Sequence, residues 1–229
     1  MRRLICAIVV LSACPAWSLT FMGPPTSNLG QGQVQGGVDY SNSEYDVEFS
    51  VAGTTATLDD VEHDSTFGRL SYGVYDNLQV FGRLGLSEVA DMGDEFAWGA
   101  GFKSKLTETG DVDWGMLFQI IVASGDDTAT IKGFSVRGDF DIYEMQIAVG
   151  PTLGGDNVCL YGGPFAHVVS GDVDINIAGQ KSSFDIKEES VLGGYVGVLL
   201  KISEIANIAI EQQWTDNAVV FAAGLSWRF

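Results

Sequence analysis

From residue 31 onward the chain is a succession of segments about ten residues long in which apolar and polar positions alternate, each closed by turn-forming residues. The last is the clearest. Val219, Phe221, Ala223, Leu225, Trp227 and Phe229 fall on one side, and Val220, Ala222, Gly224, Ser226 and Arg228 on the other. Such alternation puts successive side chains on opposite faces of a strand, so each segment has one apolar face and one small or polar face. Ten strands are predicted, at 31–41, 64–75, 78–87, 95–106, 111–123, 139–153, 157–170, 189–202, 207–215 and 218–229, with eight and twelve as alternatives. Tight connections at Asp76-Asn77, 107–111, 154–157 and 203–207 alternate with long ones at 42–63, 88–94, 124–138 and 171–188. A short hairpin at Asp216-Asn217 joins the last pair. Leu70, Tyr72 and Val74 share a face with Leu78, Val80, Leu84 and Leu86 only if the hairpin between them takes up an odd residue. That parity predicts a three-residue loop over Tyr75, Asp76 and Asn77.

Composition sharpens this reading. The 29 glycines, many inside strands, are about twice the usual share; they weaken an open sheet but suit a curved, closed one. A formal net charge of -18 accompanies a mean hydropathy of +0.16, so acidic and apolar residues must occupy different zones. The acidity excludes nucleic acid as a partner. Residues 1–18 read as a signal peptide, with Arg2 and Arg3 before a short apolar run and Ala16 and Ser18 before a cut at Leu19. The alternative is a lipobox at Leu11-Ser12-Ala13-Cys14, in which Cys14 would be acylated. Residues 19–30, with Pro24, Pro25, Ser27, Asn28 and Gly30, read as a periplasmic lead-in to a domain at 31–229. Cleavage of the leader leaves Cys159 alone, so no internal disulfide is available. No later stretch reaches the ~18 consecutive apolar residues of a transmembrane helix, and any crossing must be made by strands.

Three motifs carry a resemblance: the leader, the hairpin Tyr72-Gly73-Val74-Tyr75-Asp76-Asn77-Leu78, and the terminal Gly224-Leu225-Ser226-Trp227-Arg228-Phe229. With them, residues 31–229 resemble the small bacterial outer-membrane β-barrels, a superfamily that includes OmpA-type, opacity-like and porin-like members. The resemblance implies an all-β, closed antiparallel transmembrane barrel in a Gram-negative outer membrane, with both termini in the periplasm. It implies membrane lipid as the surroundings and the barrel-assembly machinery as a partner that reads the last strand, ending at Phe229.

Assigning the apolar face to lipid turns a polar set inward: Asp39, Arg69, Arg83, Lys103, Asp113, Glu144, Lys201, Glu211 and Arg228. Lys105 joins them, as do Gln33, Gln35, Gln79, Gln119, Gln146 and Gln213. The predicted register sets Arg69 opposite Arg83, which requires a carboxylate such as Asp39, Glu144 or Glu211 nearby. The same residues suit a packed, salt-bridged interior or a narrow polar channel. The connections are acidic, with Asp59, Asp60, Glu62, Asp126, Asp127, Asp172, Asp174 and Asp185, which makes divalent cations candidate partners there. A calcium loop at Asp172-Val173-Asp174 is rejected, because Ile177 stands where such a loop needs glycine. The two histidines, His63 and His167, lie in no hydrolase motif. No enzyme activity, cofactor or metal centre is expected. The expected role is a structural or narrow porin-like barrel; the alternatives are an adhesin acting through loops 42–63 and 171–188, and a barrel hydrolase.

Overall fold

Alternating sequence becomes strand throughout, and no described residue is helical. The computed structural model describes residues 19–229 except 52–53, 90–93, 132–133, 156, 178–179, 188–190 and 217, with side chains outside 44–62, 89–94, 126–140 and 172–191. The expected signal peptide and Cys14 lie outside the described residues. The strands are β1 (Val34–Val51), β2 (Thr54–Tyr75), β3 (Leu78–Val89), β4 (Asp94–Thr109), β5 (Val112–Ile131) and β6 (Phe134–Gly154). They continue with β7 (Val158–Ile177), β8 (Gln180–Lys187), β9 (Val191–Lys201), β10 (Ala206–Trp214) and β11 (Ala218–Arg228).

All pairings are antiparallel. The sheet runs from β6 back to β1, across to β11, and on through β10 and β9 to β7, which pairs with β6 and closes a ten-stranded barrel. β8 is outside that ring. β9 takes the half of β7 from Val158 to His167, and β8 takes the half from Ser170 to Ile177. The predicted connection 171–188 is therefore a projecting hairpin. Two other predicted long connections are also strand: β1 and β2 pair out to Val51 and Thr54, and β5 and β6 to Ile131 and Phe134.

The parity problem between β2 and β3 is solved differently from the expectation. Tyr75 pairs directly with Leu78 across Asp76-Asn77, and the odd residue is a bulge at Val74. A bulge absorbs one extra residue without turning the rest of the strand over. At the tight-turn end the ring is locked where the Phe229 amide donates to the Val34 carbonyl.

The outer wall is an apolar belt that includes Leu70, Leu84, Trp98, Leu192, Ile210 and Phe221, all exposed. An apolar surface encircling the whole molecule far exceeds what a soluble monomer shows, and it fits a lipid surround. The inner wall is packed. Phe165 and Tyr161 lie across Gly193 and Gly197, where an added Cβ would run into their rings. Towards the long-hairpin end an apolar layer of Phe67, Ala97, Ile121, Ala123, Ile142 and Val169 draws side chains from β2, β4, β5, β6 and β7.

Candidate functional site in the lumen

Residues 19–29 lie inside the barrel, not ahead of it: Leu19, Thr20, Phe21, Met22, Thr26 and Leu29 are all buried. The segment enters at the tight-turn end, where the Gly32 amide donates to the Gly73 carbonyl and the Gln31 amide to Asp76 Oδ1. It then rises along the axis. Thr26 Oγ1 meets Thr152 Oγ1 at 2.9 Å. Gly23 turns the chain with φ +71°, a conformation that glycine adopts freely.

Above that turn the wall bonds the peptide backbone group by group. Both Glu211 carboxylate oxygens accept, one from the Met22 amide at 3.1 Å and the other from the Gly23 amide at 2.8 Å. Lys103 Nζ donates to the Met22 carbonyl at 2.7 Å, and Arg83 Nη2 to the Phe21 carbonyl at 3.1 Å. The Phe21 amide donates to Ser41 Oγ at 2.9 Å, and Gln213 Nε2 donates to the Thr20 carbonyl at 2.9 Å. Gln119 Nε2 donates to Thr20 Oγ1 at 3.1 Å and also to Gln146 Oε1. Buried amides and carbonyls left without partners would be costly, and here each backbone group from the Thr20 carbonyl to the Gly23 amide has one. The side chains enter apolar surroundings. Leu19, Phe21 and Met22 join Leu117, Tyr161, Tyr195 and Val220 in one cluster, and the Arg69 guanidinium lies 5.4 Å from the centre of the Phe21 ring.

Around this segment the buried charges balance, with Asp39, Glu144 and Glu211 against Arg69, Arg83 and Lys103. Asp39 lies between the two guanidiniums, 3.8 Å from each. That is ion-pair range rather than hydrogen-bond range. Glu144 Oε1 is 3.2 Å from His167 Nε2. Six of the nine inward candidates are thus gathered at mid-height. The other three, Asp113, Lys201 and Arg228, stand at the tight-turn end and line an open vestibule of ≈ 810 Å³. There Lys105 Nζ bonds Glu108 at 2.6 Å and Asp113 at 2.7 Å, and Lys201 Nζ donates to the Gly155 carbonyl at 3.2 Å. Arg228 donates to the Glu204 carbonyl.

His63 Nε2 meets Ser87 Oγ at 2.6 Å, both buried towards the long-hairpin end. Cys159 is a free, buried wall residue. Among the described residues no three His, Cys, Asp or Glu side chains are grouped to hold a metal ion. Sequence reasoning missed the lumenal segment itself. Its signal was present: Leu19, Phe21, Met22 and Leu29 are more apolar than a solvated lead-in needs to be.

No family model and no curated protein matches the sequence. Solved structures do match by shape. The translocator domain of the autotransporter NalP from Neisseria meningitidis is similar at a TM-score of 0.52 and 11% identity, over 89% of this chain and 90% of that one. The outer membrane protease OmpT from Escherichia coli is similar at a TM-score of 0.54 and 8% identity, over 86% of this chain and 97% of that one. Identities this low speak for fold alone, and the fold agrees with the encircling apolar belt. The chain is a ten-stranded antiparallel β-barrel of the bacterial outer-membrane type.

Proposed function

We propose that the protein is a structural barrel closed along its axis, with no standing path for solutes, and that its working surface is the set of hairpins beyond the belt. The observation that supports this most directly is the hydrogen-bonded seating of residues 20–23 across the lumen. The apolar layer of Phe67, Ile121, Ile142 and Val169 is a second obstacle, because ions and water do not readily enter a closely packed apolar constriction. A narrow-pore role would require both to be displaced. The reading includes no catalytic step. His63 and Ser87 are buried side by side and act as a hydrogen-bonded pair within the interior.

Planar-bilayer recording of the refolded, heat-modifiable protein tests this. The expected result is insertion without current. Discrete conductance steps from the unmodified chain would overturn the closed reading and restore the narrow pore.

A further inference from the structure

We infer that the inner wall is a binding site for a short apolar peptide that lacks charged side chains and turns at a glycine, and that residues 19–29 are its ligand in cis rather than part of the barrel framework. This goes beyond the closed-barrel reading, since a framework segment would block the lumen equally well.

Three independent features point to a binding site. First, the barrel closes without the segment. β1 pairs with β11 from Gln35 and Arg228 to Tyr45 and Ala218, and the segment adds no strand to that ladder. Second, the wall contacts are made by side chains, from five strands, and most are directed at backbone groups. Ser41 (β1), Arg83 (β3), Lys103 (β4) and Glu211 and Gln213 (β10) bond amides and carbonyls, and Gln119 (β5) bonds the Thr20 hydroxyl. Glu211 and Lys103 present an acceptor and a donor to one peptide stretch, so this part of the recognition is directed at the backbone. Third, the wall is cut back along the path. An added Cβ at Gly115 would come 2.6 Å from Thr26 Cγ2, one at Gly224 would come 2.9 Å from the Phe21 ring, and one at Gly73 would collide with the Gly30 carbonyl.

The ligand class follows from the same contacts. Residues 19–30 carry no charged side chain. The three buried acids and three buried bases already balance, so a charged side chain in place of Phe21 or Met22 would sit uncompensated in a buried site. Phe21 and Met22 supply the apolar anchors, and Gly23 allows the turn that aims two consecutive amides at one carboxylate.

The test uses the full chain with a protease site inserted between Gln31 and Gly32, both exposed. After folding and cleavage, the barrel is incubated with a labelled synthetic peptide of residues 19–30, N-acylated and C-amidated so that its ends are uncharged. The expected result is exchange of the cut segment for the labelled one while heat-modifiable mobility is retained. A peptide N-methylated at Met22 and Gly23, which lacks both donors to Glu211, should bind at least 10-fold more weakly. Failure to exchange, loss of the β-barrel as the segment leaves, or equal binding of the N-methylated peptide would each overturn the proposal.

A second measurement needs no cut. In a Cys159→Ala background, Met22→Cys is probed with a water-soluble thiol reagent with and without Glu211→Gln. A ligand role predicts at least 10-fold faster labelling in the Glu211→Gln chain at temperatures well below that chain's own melting transition, which loss of the buried charge lowers. Unchanged labelling, or labelling that rises only as the barrel melts, marks the segment as framework. Current can be recorded from the same samples, and a closed-barrel reading that fails there does so separately from this one.

Discussion

Glu211 accepts two amides from the lumenal segment and belongs to the same buried charge cluster as Lys103, so neither residue can be removed without stranding the other. Lys103→Met is expected to destabilise the barrel by about 3–5 kcal/mol, the cost of leaving a buried charge uncompensated. Glu211→Leu should cost a similar amount, and the double variant clearly less than the sum, because the two opposite charges bond the same peptide stretch and act on each other across it. Urea unfolding followed by tryptophan fluorescence in detergent measures all three; strict additivity would refute the coupling. At this scale the sequence is informative about direction and silent about height. Alternation distinguishes the inward face, where Asp39, Arg83, Glu144 and Glu211 lie. Strand tilt decides how far along the axis each side chain sits, and it leaves Lys201 and Arg228 at the vestibule. The lumenal carbonyls that bond Arg83 and Lys103 come from a segment with no alternation at all, so nothing in the periodicity announced them.

Within the strands, the Val74 bulge permits a sharp comparison. Deleting Val74 removes the extra residue while Gly73 still faces Gln79 and Tyr75 still faces Leu78, so the barrel should keep its heat-modifiable mobility. Deleting Ser71, three residues away, shifts every position beyond it to the opposite face and should abolish folding. If both deletions fold equally well, register is not what holds this hairpin. The predicted strands ended early at the long-hairpin end, at 41, 123 and 170, for a physical reason. Beyond the belt neither face meets lipid, so stretches such as Ser124-Gly125-Asp126-Asp127 lose their apolar alternation although they remain paired. Pairing there depends on backbone hydrogen bonds, which leave no mark on the sequence pattern.

For the molecule as a whole, a closed ring implies that the projecting hairpins are dispensable for stability. Tyr45 and Val61 are register partners, so replacing residues 46–60 with an Asn-Gly turn should close β1 to β2 at the belt. The unfolding midpoint should change little, while binding of a polycationic probe such as poly-lysine at low salt should weaken. A barrel that collapses after this change would mean that the hairpin is structural rather than a display surface. The short link between Leu29 and Val34, anchored at Gly73, has a consequence for regulation. A ligand tethered by so few residues meets its site at an effective concentration in the millimolar range, so a free competitor of micromolar affinity would scarcely displace it. Severing one peptide bond in that link would turn the same contacts into an ordinary concentration-dependent equilibrium. A proteolytic nick at Gln31, rather than a rival ligand, is the event to which the lumen would respond most steeply.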